Sequence, residues 1–298
     1  MWRNTAIVFL AAAILVPLSA CQLATPEEAA EKQALPSAEE IVDGVAQALK
    51  DLKTYRFDAD RTMKIAVESE AEAFQATTVM EVSGTLDIEA GRIRTTTTIE
   101  VNMVAPGEDV MRMEMNMYLM EDAVYILAHL PQMGNISMWL KSEMPEGTWE
   151  QMSQVEPQIE LLQAAVVSVI GTDTVRGVDC YLIEVAPDPE QLWELFMEWS
   201  QVTSQELPEV EEDSMKEIVE GFSVKQWIAK TTFYLIKSEI EMTLEMTPEA
   251  MGFPDEEGSL TMEIAMSLLA YDYNQPVSIE LPPEAEDAIE VDADELPW

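Results

Sequence analysis

Met111-Arg112-Met113-Glu114-Met115-Asn116-Met117-Tyr118-Leu119 alternates an apolar side chain with a mostly polar one at nearly every step. A strand turns successive side chains to opposite faces, so this period of two reads as a strand with one buried face and one wet face. The same period continues on both sides. Upstream, Phe57, Ala59, Met63, Ile65 and Val67 alternate with Asp58, Asp60, Thr62 and Lys64. Met80, Val82, Leu86 and Ile88 alternate with Glu81, Ser83 and Asp87, and residues 95–103 are β-branched and alternating. Downstream, strands are expected at 123–128, 136–141, 166–174, 178–186, 223–229, 232–247 and 258–272. Ala90-Gly91, Ala105-Pro106-Gly107, Glu121-Asp122, Met133-Gly134-Asn135 and Arg176-Gly177 supply turns between neighbours. Short turns between consecutive strands mean antiparallel pairing.

Elsewhere the period changes to that of a helix. Ser37-Ala38-Glu39-Glu40 is a capping box, followed by Ile41, Val45, Ala48, Leu49 and Leu52 on one face, with an end expected near Lys53. Further helices are expected from Trp149 to about residue 165, kinked at Pro157; from Asp188-Pro189 with Leu192, Leu195, Phe196 and Trp199 as its face; and over 210–221. The fold class is therefore α+β: a large curved antiparallel sheet, a half-open barrel of about 11 strands, covered by three or four helices. Incomplete cover would leave an apolar cavity. The expected body is residues 37–285, and residues 286–298 form an acidic tail, with the chain loose from 283 onward.

The N-terminus carries a different signal. Arg3 precedes an apolar run over residues 6–18, which is shorter than the about 20 residues a membrane-spanning helix needs. Leu18-Ser19-Ala20-Cys21 closes the run as a lipobox, so residues 1–20 read as a lipoprotein signal peptide and Cys21 as the lipid attachment site. The expected location is outside the cytoplasm, on the outer face of the membrane, anchored through Cys21. Two or more acyl chains there would hold stably. Residues 21–36, polar with two prolines after the Cys, are the lipidated tether. As a coil such a tether spans about 20 Å, and fully extended about 50 Å.

Composition excludes several roles. Fifty-seven acidic residues face sixteen basic ones, a net charge of −41. A polyanion gains nothing from such a surface, so nucleic acid is not a partner. Anionic lipid headgroups are disfavoured for the same reason. With Cys21 acylated, Cys180 stands alone, and its strand-like surroundings read as core. His129 is the one histidine; there is no phosphate loop, no paired-cysteine motif and no HExxH. No catalytic residue, cofactor or metal site is therefore assigned. The twenty methionines gather on strand faces. Flexible thioethers suit both core filling and a cavity for varied apolar ligands, and they are also soft ligands for Cu(I).

The lipobox, the helix entering Tyr55-Arg56-Phe57, the hairpin Gly171-Thr172-Asp173-Thr174-Val175-Arg176-Gly177-Val178-Asp179-Cys180-Tyr181, and Val224-Lys225-Gln226-Trp227-Ile228-Ala229-Lys230 before a long strand together resemble the LolA-like superfamily. The likeness is to lipoproteins of the LppX/LprG type and a related uncharacterised family, over roughly residues 37–285. Ala229 stands where an Asp is common, and residues 230–233 lack a usual turn Gly. The resemblance implies a non-enzymatic half-barrel with a hydrophobic cavity for acyl chains, and lipid or an acylated molecule as partner. The expected lining is Met63, Ile65, Val101, Met103, Met113, Met115, Met117, Ile240, Met242, Leu244, Met246, Met262, Ile264 and Met266. The alternative is an envelope interaction or sensor module with a filled core, docking a protein partner through its acidic face or through Trp149, Trp193 and Trp199. Metal buffering by methionines or carboxylates is a third reading.

Overall fold

Helix α1 (Ala38–Lys50) begins where its capping box dictates. In this computed structural model Glu40 N donates to Ser37 Oγ at 3.1 Å, and Ser37 N donates to Glu40 Oε2 at 2.8 Å. The structure describes residues 35–69, 73–103, 110–120, 123–130, 136–144, 166–186, 223–246 and 258–291. The signal peptide, the lipobox with Cys21, most of the tether and the three helices expected after Trp149 lie outside these residues. Among the described residues, no helix is long and apolar enough to cross a membrane.

α1 stops at Lys50, three residues short of the expectation. The side chain of Asn274 explains the early stop. It accepts from Lys53 N at 2.8 Å and donates to Asp51 O at 3.2 Å, turning the chain into the sheet. The buried face is also rotated slightly, with Ile41, Val42 and Ala46 innermost.

Eleven strands follow: β1 (Thr54–Ser69), β2 (Ala73–Asp87), β3 (Arg92–Met103), β4 (Met111–Leu119), β5 (Ala123–Leu130), β6 (Ile136–Glu143), β7 (Val166–Val175), β8 (Val178–Ala186), β9 (Ser223–Ala229), β10 (Leu235–Met246) and β11 (Gly258–Tyr271). A twelfth, β12 (Ile289–Glu290), comes after a 3-10 turn at Pro283–Asp287. All twelve belong to one unclosed, curved sheet in the order β12-β6-β5-β4-β3-β2-β1-β11-β10-β9-β8-β7. Two meanders meet at β1 and β11, which pair over fourteen residue positions from Arg56–Tyr271 to Ser69–Gly258.

The acidic end is not loose at its start, which corrects the sequence reading. β12 pairs with β6 in parallel, Val291 N donates to Lys141 O at 2.9 Å, and Lys141 pairs with Glu290 at 3.3 Å. Ala285 is buried. Neutralisation at Lys141 and a few backbone bonds suffice to hold a two-residue strand that no period could reveal.

Register fixes two faces. Directly opposed residues share a face, and one row reads Ala270, Phe57, Gly84, Thr95, Met117, Ile126, Leu140 across seven strands. The next row along the strands reads Ser238, Leu268, Ala59, Val82, Thr97, Met115, Ala128. These rows are almost wholly apolar and carry two of the core clusters. A third lies on the same face over β7 to β9, where Ile41 and Val42 of α1 pack on Val167, Ile183, Val185, Val224 and Ile228. Over β1, β3, β4 and β11 the opposite face is charged and wet, with ion pairs such as Lys64–Glu263 at 2.9 Å and Arg112–Glu100 at 3.0 Å, whereas over β8 and β9 it buries Cys180, Trp227 and Ala229.

Candidate functional site: an apolar face with a graded opening

Twelve of the fourteen residues expected to line a cavity lie on the one apolar face. The row at Arg61 holds Ile240, Met266, Met80, Ile99 and Met113. The row at Met63 holds Met242, Ile264, Thr78, Val101 and Met111. The row at Ile65 holds Met262, Ala76 and Met103, with Leu244 at the matching backbone position of β10. Met246 occupies the backbone position of the last row, that of Val67.

These rows differ in depth. Around Phe57 and Ala59 the face is a packed core: Phe57, Ala59, Val82, Leu268 and Ala270 are all buried. Met117 belongs there too, buried with Leu119, Val124 and Ile126, so it fills core at the closed end. Beyond Arg61 the same face becomes half-buried at Met63, Ile65, Met242, Met262 and Ile264. At its far end Phe74 is 37% exposed, Ile136 41% and Met111 52%. Apolar side chains are thus buried at one end of the strands and offered at the other.

The boundary between the two regimes is polar, which the sequence reading did not single out. Arg61 is buried on this face, and its Nη2 lies 3.6 Å from Met63 Sδ. Burial lowers its pKa from the ordinary value, yet a guanidinium remains a cation. Thr95, Thr97 and Ser238 are also buried here, and their hydroxyl oxygens have no hydrogen-bond partner among the described residues. The signal was present: Arg61 falls on the apolar parity of β1 between Ala59 and Met63. A charge at an inward position departs from alternation in a way that core packing does not explain.

The reactive side chains lie elsewhere. Cys180 is fully buried beside Trp227, Ala229 and Ile236, and burial raises its thiol pKa. His129 Nδ1 and Ser137 Oγ are 2.8 Å apart at an exposed position. Asp173 accepts from Trp227 Nε1 at 2.8 Å and from Thr174 N at 2.7 Å; these bonds, the indole one first, hold its carboxyl below the usual range. Among the described residues no group of three His, Cys, Asp or Glu is placed to hold a metal. What the face can do is bury an elongated apolar molecule.

A family model described as a family of unknown function, DUF6612, matches residues 37–290. The fold is similar to that of the lipoprotein LppX from Mycobacterium tuberculosis, at 11% identity and a TM-score of 0.39, over 82% of this chain and 98% of that one. It is similar to LprF from Mycobacterium bovis, at 12% identity and a TM-score of 0.38, over 82% and 96%. A DUF1329 family protein from Desulfovibrio piger aligns at 8% identity and a TM-score of 0.22, over 81% and 95%. Among curated proteins the comparison finds no match.

Proposed function

Because this chain belongs to DUF6612, a family of unknown function, its role must come from its own sheet, and we propose that it is an exported lipoprotein, anchored through Cys21, that binds acyl chains on its apolar face. The observation that carries this reading is the gradient on that face. A folded protein closes its apolar surface where it can, and large exposed apolar patches mark binding sites. Here one continuous face passes from a packed core at Phe57 to exposed Phe74 and Met111 within ten positions along each strand. Methionines dominate the half-buried rows, and flexible thioethers adapt to chains of different length and branching.

The energetics favour a lipid. Each buried methylene contributes about 0.8 kcal/mol, so a long acyl chain gains on the order of 10 kcal/mol before association costs are subtracted. Such a ligand needs no catalytic group, and none is proposed. The acidic exterior would hold the body off anionic headgroups while the tether keeps it near the membrane. Native mass spectrometry of the mature chain, made alongside the envelope lipids of its source, tests the reading. A stoichiometric lipid adduct that disappears in Met115→Trp and Met242→Trp variants is expected. A clean apo mass after incubation with diverse lipids would move the assignment to protein docking.

A further inference from the structure

Resting on that reading, we propose that the head of the ligand is an uncharged carbonyl, the ester or amide that joins an acyl chain to the rest of a lipid, and that Gln226 and Ser238 hold it. The two residues are direct partners across β9 and β10. Both lie on the apolar face, in the row of Leu268 and Ala59. Gln226 is 5% exposed and Ser238 2%. Opposed residues on one face have Cβ atoms about 5 Å apart. Even so, the Ser238 hydroxyl has no hydrogen-bond partner among the described residues, so the Gln226 amide does not bond to it. Buried polar side chains cost free energy unless their bonds are made, and each exception calls for an explanation.

The surroundings choose the chemistry. Ile183 and Leu268 flank the pair along its row. Val224 opposes Ile240 one step outward, and Ile228 opposes Leu235 on the inner side. All six are apolar. Arg61 stands two strands and one row away, about 10 Å of sheet and beyond direct contact. A charged head set among these residues would lose its hydration without an opposite charge beside it. What the pair offers is an O–H and an amide N–H, and a carbonyl oxygen has two lone pairs with which to accept both.

Position along the face agrees. The pair lies on the seam between two core clusters, one under α1 with Ile183, Val224 and Ile228, the other around Phe57 with Leu268. Inward, Ile228 is fully buried and ends the track. Outward the track is unbroken: Ile240 beside Met266, then Met242 beside Ile264, all half-buried. The backbone continues to Leu244, six positions from Ser238, a rise of about 20 Å. That is the reach of a long acyl chain, so a carbonyl at the pair and a tail over the methionines occupy one line.

Paired probes test this on the mature chain, Cys21 to Trp298, with affinities read by displacement of a fluorescent alkyl probe. Methyl palmitate and methyl hexadecyl ether carry matched chains and differ in the carbonyl. The ester is expected to bind about tenfold tighter, as one or two added hydrogen bonds predict. In Gln226→Leu with Ser238→Ala that preference falls to about one because the ester weakens. Ser238→Ala alone lowers the preference in part. Ionised palmitate is expected to bind more weakly than its methyl ester. Equal binding of ester and ether by the parent chain overturns the carbonyl site, leaving a pair that holds water only, and keeps the acyl reading intact. Tighter binding of palmitate than of the ester overturns the uncharged head. An undiminished preference in the folded double variant overturns the site as well, as it does in Ser238→Ala should the double variant not fold. Binding of neither ester nor ether overturns the acyl reading itself, and the carbonyl site with it.

Discussion

At the scale of single residues, the closed end of the face is built by fitted pairs. Gly84 opposes Phe57, and a Cβ at Gly84 would come within 2.2 Å of Phe57 Cε1 and 2.4 Å of Cζ. The ring is itself buried among Ala59, Val82 and Leu268, so it has no room to retreat. Gly84→Ala is therefore expected to cost about 1–3 kcal/mol as an overpacked core, seen as a lower urea midpoint with an unchanged slope. An unchanged midpoint would mean that the closed end is loosely filled. Tyr55, stacked on Tyr273 at the same end, reports on burial in another way. Burial pushes its phenol up to about 12 from 10.0. Between those values the unfolded chain loses the Tyr55 proton and the folded chain keeps it. Stability contributed by neutral Tyr55 is thus full below pH 10 and is lost as pH rises toward 12, by at most about 2–3 kcal/mol. Tyr55→Phe should flatten that alkaline fall in a series of chemical melts; Tyr273, also raised by burial, leaves a residual slope. An identical alkaline slope in parent and variant would place the Tyr55 hydroxyl in water. Arg61 was legible at this scale as a charge on the wrong parity of its strand. Thr95 and Thr97 were not, because β-branched hydroxyl residues are normal in strands on either face.

At the scale of elements, most strands were legible because the cause of each is local. A period of two defines a strand and short turns define its neighbour, and the bounds of β4, β8 and β9 agree with the sequence reading. The misplaced ends have tertiary causes. β10 starts at Leu235 because Phe233 N donates to Ala229 O at 2.9 Å and extends the turn. Phe233 takes a left-handed φ of 57°, a conformation that side chains resist. Its ring offsets the strain by packing on α1 at Gly44 and near Tyr181. That contact makes Gly44→Ala a test of which effect wins. Helix propensity alone predicts a gain of about 1 kcal/mol. The new Cβ would meet three Phe233 ring atoms, however, and the strained backbone of Phe233 cannot yield cheaply. A net loss of about 1–2 kcal/mol is expected, and thermal melts decide; a net gain would show that α1 can slide on the sheet. Losing the Asn274 links to Lys53, Asp51 and Tyr234 should loosen the same helix from below. Asn274→Ala is expected to speed amide exchange in α1 more than in β1 to β4, and equal protection in both would assign the staple to packing alone.

At the scale of the whole molecule, sequence and structure diverge where the chain meets itself over long distances. The pairing of β1 with β11 joins segments some two hundred residues apart, and no local pattern announces it. β12 escaped notice because two residues in an acidic stretch carry no period. Net charge, by contrast, was fully legible and acts on everything at once. Sixteen cations can neutralise the charge of only sixteen of the fifty-seven acids, so self-repulsion must exceed attraction across the surface. The visible pairs are exposed, as at Lys53–Glu89 and Lys64–Glu263, and exposed pairs contribute little each. Screening should therefore help this protein. Raising sodium chloride from about 0.01 M to about 0.15 M shortens the Debye length from about 30 Å to about 8 Å, which weakens repulsion over the body more than contacts at 3 Å. The melting temperature is expected to rise over that range and then level off. A fall would mean that the few cations dominate through networks, and that the acidic coat is structural cement. A rise would fit a coat whose role is outward: it keeps the exposed end of the apolar face from adhering to other copies and to anionic surfaces, at a tolerable cost in stability.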